Sequence, residues 1–162
     1  MNKELTSTQE QQLNSYTQQL AQLYKDKIDE AGRVASGDLK NFESYFTLDD
    51  EHFRIYFNLQ EYWKWVENGR GPGKQPPTSA IERWIEVKHL VPNPHDNKIP
   101  STKQLAFLIA RKIGREGYEG KHPLQNAMSS DAATTIINEI KQVLINKIKD
   151  ELHEILVGQD PS

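Results

Sequence analysis

Apolar side chains in the first thirty residues recur at helical spacing. Leu13, Tyr16, Leu20, Leu23 and Ala31, with Tyr24 and Ile28, fall on one stripe, and the opposite face is rich in glutamine. The pattern predicts a helix over 7–33, opened by a capping box at Ser7 and Glu10 and ended between Gly32 and Gly37. Such a stripe can be buried on the chain's own domain or against a partner helix, and the single-domain reading is the simpler one. The period then changes to two. Phe53, Ile55, Phe57 and Leu59 alternate with Arg54, Tyr56 and Asn58, and Phe42, Phe46 and Leu48 share a face upstream. A hairpin of strands 39–48 and 52–59 follows, turned at Asp49-Asp50-Glu51. Two strands alone are marginal, so they need the long helix on one face or further strands from a neighbouring copy.

Helical spacing returns in shorter segments. Residues 60–68 predict a short helix with Tyr62, Trp65 and Val66 inward and Trp63 elsewhere. Ser79 and Glu82 match a capping box for a helix running to about His89, with Ile81, Trp84 and Ile85 as its apolar face. Trp65 and Trp84 are both expected in the core. After the proline-punctuated loop 91–100, Ser101 and Gln104 open a further helix ending near Gly117. Residues Pro123 to Met128 supply one more turn. Asp131 then caps a long last helix whose stripe runs from Ala133 through Ile136, Ile140, Val143 and Ile148 to Leu152 and Ile155. The expected fold class is α+β: a long N-terminal helix on a small antiparallel sheet, with further helices in the C-terminal half. The expected organisation is one domain over 1–158 and a flexible tail over 159–162.

Composition narrows the function classes. The chain has 162 residues, 36% of them hydrophobic, with a mean hydropathy of -0.76. That length is enough for one core. There is no cysteine, hence no disulfide framework and no thiolate metal site. The polar start MNKELTSTQEQQ is not a secretory signal, and no apolar run is long enough to span a membrane. The net charge of -3 conceals a split. Residues 1–68 carry a net -5, residues 69–125 a net +5 and residues 126–162 a net -3. A basic middle between acidic ends can bind a polyanion or meet the acidic part of another copy.

The stretch "YWKWVENGRGPGKQPP", residues 62–77, is the most distinctive candidate site. Three chemistries compete for it: a glycine-rich phosphate cradle, a basic and aromatic nucleic-acid surface, and a stiff elbow for docking on protein. The phosphate reading fails on spacing. Gln75 stands where a P-loop needs Ser or Thr, Asn68 stands where its first glycine belongs, and the double proline delays the next helix. Other catalytic patterns are missing too. His52, His89, His95, His122 and His153 show neither HxxxH nor HExxH spacing, and a set of His89, His95 and Asp96 is generic as a metal site. No nucleophile elbow appears. These readings imply no enzyme, no cofactor and no metal. Arg111, Lys112, Arg115 and Lys121 cluster, but with a sequence pI of about 6.0 and no helix-turn-helix or zinc pattern, nucleic-acid binding is the second choice.

The run Y-x-x-x-V-E-x-G-R-x-P-G-K-x-P-P, then I-x-x-W-I, then L-A-F-x-I-A-R-K-I-x-x-x-G-x-x-G, resembles minor virion proteins of tailed bacteriophages. The group is that of tail-completion and head–tail joining (neck) proteins, and the likeness is nearest to crass-like phage versions. It covers about residues 52–128. The resemblance implies a non-enzymatic structural protein that forms a homo-oligomeric ring of six or twelve copies around the DNA channel. Its neighbours would be portal, neck or tail proteins. It would be made in the host cytoplasm and end in the virion. Carried over, Tyr62, Val66, Glu67, Gly69, Arg70, Pro72, Gly73, Lys74, Pro76 and Pro77 form a fixed assembly elbow. Arg111, Lys112 and Arg115 are read as interface charges facing acidic protein. The alternative is a small DNA-binding accessory protein using the basic segment 69–125.

Overall fold

The computed structural model describes residues 4–32, 37–94 and 98–158. It is α+β, as the periodicities predict. Its elements are α1 (Ser7–Glu30), a 3-10 turn (Gly37–Lys40), β1 (Glu43–Leu48), β2 (Phe53–Asn58), α2 (Trp63–Asn68), β3 (Gly69–Arg70), α3 (Thr78–Val87), α4 (Thr102–Glu116), β4 (Tyr118–Glu119), α5 (Pro123–Met128) and α6 (Asp131–Val157). The chain divides into two compact units. The first comprises Met1–Lys27, Phe42–Leu59 and Leu124–Ser162, and the second Ile28–Asn41 and Gln60–Pro123. The expected tail, 159–162, lies outside the described residues.

The first unit is built from long periodic elements. Leu13, Leu20, Ala133, Ile140 and Val143 form its buried cluster, with Phe46, Phe53, Ile55 and Phe57 of the hairpin against it. The capping box of α1 forms one residue before the expected pair. Thr6 Oγ1 accepts from Gln9 N–H at 3.2 Å, and Gln9 Oε1 accepts from Thr6 N–H at 3.0 Å. Both pairs have the right spacing, but the Thr6 carbonyl takes the first helical bond, from Glu10 at 2.9 Å, which makes Thr6 the cap. On α6 the cap is Ser130, not Asp131. Ser130 has extended backbone angles and accepts from Ala133 N–H at 3.2 Å. Asp131 sits in the first turn, where its negative charge favours the helix dipole.

The strand expected from residue 39 starts only at Glu43. The register explains this: Glu43 pairs with Asn58, the last residue of β2, so earlier residues have no partner strand. Leu39 is instead buried in the 3-10 turn. Tyr24, Phe42 and Phe57 form an aromatic cluster with ring centroids 5.5–6.0 Å apart, which ties α1 to the sheet. The outer face carries Tyr45 and Tyr56, stacked at 5.0 Å. The turn is held by one side chain. Asp49 Oδ1 accepts from the N–H groups of Glu51 (3.0 Å) and His52 (2.8 Å), and its second oxygen pairs with Arg54.

The second unit is built from short elements. The Ser101–Gln104 capping box of α4 forms as expected, with bonds of 3.2 and 2.9 Å. The Ser79–Glu82 box does not. Pro77 occupies the cap position with no side-chain bond, and the helix starts at Thr78, so Ser79 is already inside it. A proline's fixed φ is compatible with the extended residue before a helix, but it offers no side-chain acceptor to the N–H groups of the first turn. Ile85 of α3 and the small Ala106 and Ala110 of α4 are buried, and the two helices contact each other. Trp84 is half-buried, as expected in kind, but Trp65 is 53% exposed. On a helix of only six residues, Val66 and Glu67 take the inward positions and turn Trp65 out.

Candidate functional site

The elbow is closed chiefly by backbone contacts. Residues 66–75 run beside 113–122. β3 pairs antiparallel with β4, Gly69 opposite Glu119 and Arg70 opposite Tyr118. Lys121 N–H donates to Val66 O at 2.9 Å and His122 N–H to Glu67 O at 3.2 Å. Gly73 N–H donates to Gly114 O at 2.8 Å. The Gly73 N–H is therefore spent on protein rather than directed at a ligand. Arg70 folds its guanidinium onto the Lys74 carbonyl and closes the loop from within.

Three glycines make the approach feasible. A Cβ on Gly69 would lie 2.3 Å from Gly120 N and from Tyr118 O. A Cβ on Gly117 would lie 2.1 Å from Arg70 O, and one on Gly120 would lie 2.1 Å from Glu67 O. Gly69 and Gly117 also adopt φ of about +70°, which side chains disfavour. By contrast, a Cβ on Gly71 or Gly73 would meet nothing within 4 Å. Gly69 is among the expected elbow residues, whereas Gly117 and Gly120 are not. The signal was the G-x-x-G that follows α4, yet nothing local says that its partner lies some fifty residues upstream.

The expected elbow residues divide into an anchored part and an open part. Val66, Glu67 and Gly69 are buried, and Tyr62 and Arg70 are half-buried. Pro72, Gly73 and Lys74 are exposed, Pro76 is half-buried, and Pro77 ends the elbow as the cap position of α3. Partial burial pushes the Tyr118 hydroxyl above its ordinary pKa, while Arg70 opposite pulls it down.

The interface charges lie on the exposed face of α4. Arg111, Lys112 and Arg115 are all exposed. Glu116 is close to two of them: Arg115 hydrogen-bonds its carboxylate, and Lys112 Nζ stands 3.9 Å away. The Arg115 hydrogen bond is the main cause holding the Glu116 carboxyl below the usual range. Phe107 and Leu108, one turn earlier on the same face, are also exposed, which the apolar run LAFLIA did not reveal. Of the generic metal set, His95 and Asp96 lie outside the described residues. Among the described residues no three His, Asp or Glu side chains gather as a metal site, and no helix is long and apolar enough to cross a membrane. No family model, curated protein or solved structure matches this chain.

Proposed function

We propose that this chain is a non-enzymatic structural protein of a tailed-phage virion, assembling as a ring at the neck or tail-completion position around the DNA channel. The observation that carries the reading is the joining of the two most specific runs of the resemblance, 62–77 and 105–120, into one backbone-locked elbow. A loop held this way has little freedom left to lose on docking, which suits repeated assembly. Gly69, Gly117 and Gly120 serve close backbone approach, the use expected of a structural motif. Arg111, Lys112 and Arg115 face acidic protein on a neighbour in this reading, and six or twelve copies close the ring.

A mass-spectrometric inventory of purified virions tests the placement. The chain is expected there at a small multiple of six per particle, and its absence from particles would remove the reading. The exposed α4 charges also support the second reading, DNA binding. Replacing Arg111→Glu and Arg115→Glu separates the two. The ring reading expects weakened incorporation with unchanged melting. The DNA reading expects duplex binding by the native protein, with a salt slope of about -0.9 per phosphate contact, lost in the variant.

A further inference from the structure

We propose that the last turns of α6 in one copy dock on the outer face of α4 in a second copy, a contact that rests on the ring reading above and supplies its repeating joint. The stripe of α6 is buried as far as Val143, and Leu144 is partly covered. Beyond that point it continues on Ile148, Leu152 and Ile155, each more than half exposed. The spacing keeps these residues on one side of the helix; Asp150, Glu151 and Glu154 stand in the same turns, Glu151 already paired with Lys147. An apolar stripe that outruns its own core needs a cover.

The outer face of α4 fits it in shape and charge. Ile99, Phe107 and Leu108 line an exposed groove together with Lys98 and Lys103. One turn further on stand Arg111, Lys112 and Arg115. Residues 145–157 and 103–115 are both helical, each run roughly 20 Å long at the α-helical rise. Apolar residues on one meet apolar residues on the other, and the acidic flank meets the basic end. The occupant is another copy because every chain carries both halves. The first unit has 7 Lys/Arg and 13 Asp/Glu, and the second 13 and 10, so unlike parts of two copies attract. Two different faces in contact, repeated head to tail, make a heterologous joint, which builds a ring where its rotation closes. A joint this small lies below the ~800 Å² per partner of a standard interface, so it is weak between free copies and gains from closure.

The chain has no cysteine, so single thiols report cleanly. Full-length Glu154→Cys and a mass-tagged Lys103→Cys protein are mixed and treated with a short bis-maleimide. The expected product is the mixed dimer, at least tenfold above either homodimer. It should fall severalfold in 1 M salt and on adding Phe107→Asp to the Lys103→Cys chain. Mixed dimer at no more than the random share overturns the proposal. So does a dominant Glu154→Cys homodimer, which would mean that the stripes pair with each other. Monomers throughout, as expected if DNA or an unrelated protein covers α4, overturn it as well. The virion inventory is independent. A chain present in virions without the mixed dimer leaves the ring reading standing with another joint, whereas a mixed dimer from a chain absent from virions leaves the joint and removes the ring.

Discussion

The two units reach order by different means. In the first, long helices and a hairpin bury aliphatic and aromatic side chains around Leu13, Leu20, Ile140 and Val143. In the second, short elements are fastened where backbones touch at Gly69, Gly117 and Gly120. A side-chain core tolerates a change of shape at a cost that grows with the cavity. A backbone contact across glycine tolerates no Cβ at all. The function proposed for the elbow thus rests on the less forgiving region, and the proposed self-docking stripe on the more forgiving one.

The largest effect should come from adding a side chain at the backbone contact. In Gly120→Val the new Cβ would meet Glu67 O at 2.1 Å and Asn68 C at 2.5 Å. The β3–β4 pairing must open, losing with it the bonds of Lys121 and His122 to α2. The expected cost exceeds about 4 kcal/mol, in the range reserved for severe disruption. Trp63, Trp65 and Trp84 all lie in the second unit, so tryptophan emission reports that unit. Emission should shift to that of solvated indole while the helicity of α1 and α6 is retained. Gly71→Ala is the matched control and should melt within about 1 kcal/mol of the native protein, because its Cβ meets nothing.

How far each region was legible in the sequence follows the same division. The stripes of α1 and α6 and the alternation of β2 predict their elements because periodic burial is written in side-chain type. The turn at Asp49-Asp50-Glu51 was legible for a similar local reason, although the single role of Asp49 was not. Caps were read to within a residue where adjacent candidates compete, as with Thr6 and Ser7. The cap at Ser79 failed because Pro77 had already set the helix start. Trp65 was misplaced because i, i+3, i+4 spacing grouped it with Tyr62 and Val66, whereas the six-residue helix buries Val66 and Glu67. The glycine contacts were not legible because each depends on a distant stretch of backbone that carries no side-chain signal.

A smaller effect is expected from hollowing the side-chain core. Leu13 is fully buried, and Leu13→Ala should cost about 2–5 kcal/mol through lost transfer energy and a residual cavity. Far-UV circular dichroism, dominated by α1 and α6, should show an earlier transition while tryptophan emission still reports a native second unit. Coincident transitions by both probes, here and in Gly120→Val, would erase the contrast between the units and make them one cooperative block.

The smallest effect tests whether the first unit also depends on polar detail. The Arg54 guanidinium, followed by the N–H groups of Glu51 and His52, holds the Asp49 carboxyl well below its ordinary 3.8. A carboxyl depressed in the folded state stabilises it above the unfolded pKa, and that gain is lost as pH falls through the folded value. The contribution is therefore complete at neutral pH and erodes only below about pH 4. Asp49→Asn keeps one oxygen to accept from the turn but removes the charge that pairs with Arg54. Melting of native and variant proteins should be compared from pH 7 down to pH 2. Other carboxylates titrate in both proteins, so they largely cancel from the difference. The native protein should be the more stable at pH 7, and the gap should narrow steadily through the acid range. Asp49 is exposed, so 1 M salt should shrink the gap at neutral pH, as the screening length falls to ~3 Å. A gap that is constant with pH would assign the turn's stability to backbone geometry alone, placing both units under the same kind of control.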